Sequence, residues 1–194
     1  MAPGPFSIDR RPRRHLLKRT AIYYVFLGDL MQFEIRKLGI EHAAEASLIT
    51  KTSFEKFIAP DWECCAVEEF LASVDTESFV DVLRTSPYSI GMFNDKSLLG
   101  LLVMPKPTIV RMLFIHPEWT RKGIGRSLWL HARAHLELNV PEALTIELNA
   151  SPFAVSFYRS LGFVPISTEY VNKGARATRM ACWLPAASLG AELN

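Results

Sequence analysis

Apolar and polar positions change period several times along this chain, and each change predicts an element. Phe33–Leu38 alternates with period two and reads as a strand. Glu41–Lys56 shifts to helical spacing, with Ala44, Leu48 and Thr52 on one stripe, and reads as an amphipathic helix. Pro60, inside Phe57–Trp62, interrupts it. Glu63–Val74 and Glu77–Thr85 read as two further helices. Tyr88–Phe93 and Leu98–Met104, joined at Asn94-Asp95-Lys96, read as a hairpin. Another apolar run, Ile109–Ile115, follows Pro105 and Pro107. His116–Lys122 is a loop, and Gly123–Leu138 a helix with Ile124, Leu128, Ala132 and Leu136 on its apolar stripe. Leu144–Leu148 reads as a short strand. Ser151–Leu161 reads as a helix capped by Ser151, started by Pro152 and ended by Gly162. Phe163–Ile166 and Thr178–Leu184 are the last strands, across a loop holding Asn172, Lys173 and Gly174.

This alternation predicts an α/β domain around one mixed sheet. A length of 194 residues suits a single domain, and 49% apolar with 22% charged residues is the balance of a chain with a core. Cys64, Cys65 and Cys182 are an odd count without metal-site spacing, so no metal is expected. They read as buried or half-buried free thiols in a reducing, cytoplasmic setting.

Charge changes the picture only at the start. Residues 1–31 carry six Lys or Arg against Asp9 and Asp29, so the rest of a +2 chain is slightly acidic. That body argues against nucleic-acid binding. It permits, without selecting, a cationic substrate such as an amine. Ala21–Leu27 is apolar but far shorter than the ~20 residues of a membrane span, so no membrane partner is expected. It only partly fits a signal peptide, since no small-residue cleavage site follows. Residues 1–30 are read as a basic extension, a solvated tail or a polyanion-binding arm. The folded domain is expected over 31–186, with 187–194 as a tail.

Leu113–Arg126 (LFIHPEWTRKGIGR) carries the strongest chemistry. A strand enters a loop that opens directly into a helix. Gly123 and Gly125 let backbone N–H groups approach an anion, and the helix start offers unpaired donors and a positive dipole end. Arg121, Lys122 and Arg126 add charge. The pattern is neither GxxxxGK[ST] nor GxGxxG. Two glycines alone leave an ordinary Gly-rich helix start equally open.

Two stretches together resemble the GNAT acetyltransferases. That family carries Q/R-x-x-G-x-G/A after a V-x-P turn. Here Ile115-His116-Pro117 precedes Thr120-Arg121-Lys122-Gly123-Ile124-Gly125. Thr120 departs from the family's Gln or Arg, and Arg121 follows it. The second stretch, Asn149-Ala150-Ser151 through Phe157-Tyr158 to Leu161-Gly162-Phe163, resembles the family's other cofactor motif. The resemblance implies one GNAT-like domain with a mostly antiparallel sheet flanked by helices, and acetyl-CoA as cosubstrate. It implies that the amides of Gly123, Ile124, Gly125 and Arg126 hold the pyrophosphate, with Arg121 and Lys122 beside them. The backbone of Leu113, Phe114 and Ile115 would pair with the pantetheine arm and stabilise the developing oxyanion. Phe157 would line the site. Asn149 would order the parted strand ends, and Tyr158 would be the general acid to the leaving thiolate.

The base is less legible. Ile109–Ile115 holds no carboxylate, only Arg111. Glu147 shares a strand face with Asn149, two residues away, and is a candidate base or a solvent-facing residue. His116 reads as structural or exposed. Asp61, Trp62 and Glu63 suit a cation by charge and cation–π contact, or form an ordinary polar loop. The expected reaction is direct acetyl transfer to a primary amine on a small molecule or peptide. The alternative is a CoA-binding sensor of the same fold without turnover. A homodimer is left open.

Overall fold

The computed structural model describes residues 20–26, 29–140, 142 and 144–185. The elements are β1 (Thr20–Phe26), β2 (Asp29–Lys37), α1 (Ala43–Phe57), α2 (Cys64–Ser73), α3 (Thr76–Thr85), β3 (Tyr88–Asn94), β4 (Ser97–Met104) and β5 (Met112–Ile115). Then follow α4 (Ile124–Asn139), β6 (Leu144–Ala150), α5 (Val155–Ser160), β7 (Val164–Pro165), β8 (Tyr170–Asn172) and β9 (Ala175–Leu184). Strands β1 to β5 form one antiparallel sheet in chain order; β6, β9 and β7 form a second, with β8 paired to β9. The α/β class and the antiparallel majority agree with the sequence reading. The expected central sheet is divided in two, and the halves touch through a parallel bridge between Ile109 and Glu147.

β4 explains the layering. Its sequence SLLGLLVM is buried from Leu98 onward, because helices cover both faces. Leu99, Leu102 and Met104 join a core with α4, β6 and β9. Leu98, Leu101 and Val103 join a second core with α1 and α3. Strict alternation would put Leu98 and Leu101 on opposite faces. A bulge opposite Met92 and Phe93 absorbs one residue and turns both the same way. The α4 stripe is as read: Ile124, Leu128, Ala132 and Leu136 are buried. α3 is capped by Asp75, whose Oδ1 accepts from the Ser78 N–H at 2.7 Å.

Three features differ from the sequence reading. α1 buries Ala43, Ala46, Ser47, Ile49, Thr50, Ser53 and Phe54, so Ala44, Leu48 and Thr52 are not its core stripe. Small and hydroxyl side chains make the buried face because they let the helix lie close to the sheet. Ser47 Oγ donates to the Val74 carbonyl at 2.6 Å there. Second, the sheet begins at Thr20, inside the stretch read as an extension, because β1 pairs with β2 from Thr20–Ile35 to Phe26–Asp29. The rest of that basic stretch, 1–19, and the tail at 187–194 lie outside the described residues. Third, β8 turns the loop around Asn172, Lys173 and Gly174 into a hairpin with β9. Among the described residues no helix is long and apolar enough to cross a membrane.

Leu128→Ala should cost about 2–5 kcal/mol of unfolding free energy, since Leu128 is fully buried. Leu48→Ala should cost less than ~0.5 kcal/mol, since Leu48 is 60% exposed. Denaturant titration of both variants checks the assignment of faces; comparable losses would contradict it.

Candidate active site

The site begins where the two sheets part. The Glu147 backbone makes both bonds of the junction: its N–H donates to Thr108 at 2.8 Å, and its carbonyl accepts from Val110 at 3.0 Å. Beyond it, among the described residues, β5 pairs only with β4, and β6 only with β9. A cleft of about 640 Å³ opens between elements at this parting. Leu113, Phe114 and Ile115 line it, together with the loop before α4 and residues of α5. Ser53 Oγ donates to the Ile115 carbonyl, which pins α1 to the end of β5.

The loop before α4 is shaped by two left-handed residues, Arg121 at φ 60° and Gly123 at φ 80°. Only glycine adopts that conformation without steric cost, so Gly123 suits its position and Arg121 is strained. The first helical bond runs from Ser127 N–H to the Gly123 carbonyl at 2.9 Å, which leaves the amides of Ile124, Gly125 and Arg126 without intrahelical acceptors. Gly125 sits under a ring: a Cβ there would lie 3.0 Å from Phe157 Cζ. Arg121, Gly123, Ile124, Gly125 and Arg126 all line the cleft.

α5 brings Tyr158 to the same cleft, buried against Phe157 and Phe163. Burial alone pushes its phenol well above the ordinary tyrosine range, because the phenolate would lose its hydration. Asn149 also lines the cleft, and its Oδ1 accepts from the Tyr170 hydroxyl at 3.1 Å. Ser151 does not cap as the sequence implied. Its Oγ is buried without a hydrogen-bond partner, at the cleft wall.

Four sequence-predicted residues stand elsewhere or act otherwise. Glu147 is not among the cleft-lining residues; its Oε2 pairs with Arg179 at 2.7 Å. Both side chains are about half exposed, so the pair is worth ~0–1 kcal/mol and Glu147 is held chiefly by its backbone. Lys122 also lies outside the lining, with its ammonium 4.3 Å from the Trp119 ring. Asp61 and Glu63 do not line the cleft either. They latch the turn after α1 onto the β8–β9 hairpin, through an Asp61–Arg176 pair at 3.8 Å and a Glu63 N–H to Gly174 carbonyl bond at 3.0 Å. Trp62 does line it, and its Nε1 donates to the Arg176 carbonyl at 3.2 Å. His116 is structural, its Nδ1 accepting from the Glu118 N–H at 3.3 Å. Cys64 and Cys65 are exposed rather than half-buried, and only Cys182 is buried. Among the described residues no group of three or more His, Cys, Asp or Glu is placed to hold a metal ion.

The sequence reading missed Tyr170, Ser53 and the stack of Phe57 on Phe153 at 4.8 Å. None sits in a pattern of its own; Tyr170 lies in a three-residue strand too short to show a period.

A domain family described as Acetyltransferase (GNAT) domain matches residues 58–184. The PaiA N-acetyltransferase of Thermoplasma acidophilum, solved in complex with coenzyme A, is similar over 78% of this chain and 99% of its own. Its identity is 22% and its TM-score 0.66. A GCN5-related N-acetyltransferase from Rhodopseudomonas palustris is similar over 77% and 94%, at 22% identity and TM-score 0.67. The ribosomal-protein-S18-alanine N-acetyltransferase of Escherichia coli is similar over 84% and 99%, at 19% identity and TM-score 0.51. At such identities the likeness is one of fold. No curated protein matches the sequence.

The buried phenols of Tyr158 and Tyr88 both have raised pKa values. In the unfolded chain they ionise near pH 10. The stability they contribute is therefore intact below about pH 10 and lost as pH climbs above it. Unfolding midpoints measured from about pH 9 to about pH 11 should fall, and Tyr158→Phe should flatten the fall. An unchanged slope would contradict burial of that phenol.

Proposed function

The chain belongs to the GNAT acetyltransferase family, and on that premise we propose that it moves the acetyl group of acetyl-CoA to a primary amine, directly, in a ternary complex. One observation carries the reading: the free edge of β5, the open amides of α4 and the buried Tyr158 phenol all meet in one cleft. The cradle fits the cosubstrate, since the amides of Ile124, Gly125 and Arg126 lack intrahelical acceptors and Gly125 leaves the backbone bare beside Phe157, whose Cζ would lie 3.0 Å from a Cβ there.

The amides of Ile124, Gly125 and Arg126, with Arg121 and Arg126, would hold the pyrophosphate. Leu113 and the Ile115 N–H, which alternate with the β4-bonded Phe114, would offer the β5 edge to the pantetheine amides. Bound there, acetyl-CoA would supply the acetyl group as an activated thioester. A β5 N–H would stabilise charge growing on the acyl oxygen. Tyr158 stays protonated at any working pH and would hold the proton that the departing sulfur takes. Across the reaction a C–N bond forms and a C–S bond breaks. The amine gives up one proton and the sulfur gains one. Among the described residues no carboxylate or imidazole lines the cleft, so water, rather than Glu147, would carry the amine's proton away.

Calorimetry with acetyl-CoA should give binding by the wild type and at least ~10-fold weaker binding by Gly125→Val, whose side chain enters the cradle. In a thiol-release assay over an amine panel, Tyr158→Phe should lower kcat by roughly 100-fold with acetyl-CoA affinity retained. Binding without thiol release on any amine would favour a CoA sensor. Absence of binding would defeat the proposal.

Glu147→Gln should keep the rising limb of the pH–rate profile, and kcat/KM within ~3-fold, because the limb belongs to the amine. Loss of that limb would make Glu147 the base.

A further inference from the structure

Among the described residues the charged ones that line the cleft are Arg111, Arg121, Arg126 and Arg176, and none of the lining residues is a carboxylate. Arg121 and Arg126 flank the start of α4. Arg176 is balanced, 2.6 Å from Glu169 and 3.8 Å from Asp61. Arg111 stands at the other end of β5, roughly 13 Å of strand away from Ile115. It is exposed to the cleft, and among the described residues no carboxylate lies within ion-pair distance of it.

Aromatic rings make up part of the remaining wall, among aliphatic and small polar residues. Phe57 stacks on Phe153 at 4.8 Å, and Phe70 lies against Phe114 at 6.2 Å and Trp62 at 5.9 Å. These five rings all line the cleft. Asp61, next in sequence to the lining residue Trp62, is engaged with Arg176.

We propose that Arg111 is a specificity-determining residue, and that the acceptor is an amine carrying a carboxylate on an apolar or aromatic frame. The proposal rests on the acetyl-transfer reading above. A guanidinium presents two parallel N–H donors that match a carboxylate. The aromatic rings take the apolar frame. A diamine or polyamine would bring a second positive charge to a lining whose formal charges are all positive. The rings could hold that ammonium by cation–π contact, but no lining carboxylate would pair it and Arg111 would repel it.

The test compares matched acceptors in the full chain. Phenylalanine and 4-(aminomethyl)benzoate carry the carboxylate; phenylalaninamide and benzylamine are their neutral counterparts; 1,4-diaminobutane carries a second ammonium. Two readouts are taken: thiol release with acetyl-CoA, and calorimetric binding of each acceptor to the protein saturated with CoA. At least one carboxylate-bearing acceptor should bind and react roughly 10- to 100-fold better than its neutral counterpart. Arg111→Ala should remove that preference by lowering kcat/KM for the carboxylate-bearing acceptor alone, and Arg111→Lys should restore part of it. Calorimetry of acetyl-CoA should be the same in wild type and both variants. The proposal is overturned if the neutral amines or the diamine are preferred, if Arg111→Ala lowers all acceptors equally, or if no carboxylate-bearing acceptor binds. Failure of acetyl-CoA itself to bind would instead remove the acetyl-transfer reading on which this one stands.

Discussion

The parting of β5 from β6 beyond the Ile109–Glu147 bridge is the constraint on which the rest of the site depends. Two strands that separate leave backbone N–H and C=O groups facing each other across a gap too wide to bond. Such groups must find water, side chains or a ligand. The gap is lined on the β5 side by Leu113 and Ile115 and beyond β6 by Tyr158. An extended ligand with its own amides answers both needs, hydrogen bonds at the edge and apolar contact at the walls. The α4 amides lie just past the end of β5, so an anion at the end of that ligand meets unpaired donors.

Several contacts keep the parting fixed. Ser53 ties α1 to the Ile115 carbonyl. Trp62 and Glu63 tie the following turn to the β8–β9 hairpin. Phe57 on α1 stacks against Phe153 on the segment leading into α5. The rim of the cleft is thus built from three separate parts of the chain, each joined to another by a hydrogen bond or a ring stack. A rim assembled this way holds its side chains in place better than a free loop would, which is what selection of an acceptor requires.

The local field differs from the overall charge. A chain of net charge +2 has a cleft whose formal charges are all arginine. The carboxylates nearby are turned to other partners: Glu147 to Arg179, and Glu169 and Asp61 to Arg176. These exposed pairs add little stability. Their consequence is positional: these carboxylates are engaged elsewhere, and among the described residues none lies within ion-pair distance of Arg111.

What the sequence by itself determined was local. The α4 stripe, the bare backbone at Gly123 and Gly125, the stop at Gly162 and the motif from Asn149 to Phe163 depend on residues a few positions apart. Helix periodicity and left-handed φ write such features directly into short patterns. Tertiary structure decided the rest, because the deciding partners are distant. Glu147 shares a strand face with Asn149 in the sequence; only the fold pairs its carboxylate with Arg179, 32 residues on, and puts its backbone at the strand bridge. Trp62 and the Arg176 carbonyl are 114 positions apart, so the acidic turn around Trp62 gave no sign that it would serve as a latch. The buried face of α1 was misread because small and hydroxyl residues carry almost no hydropathy signal. Only the close approach of the sheet tells which side of that helix faces inward.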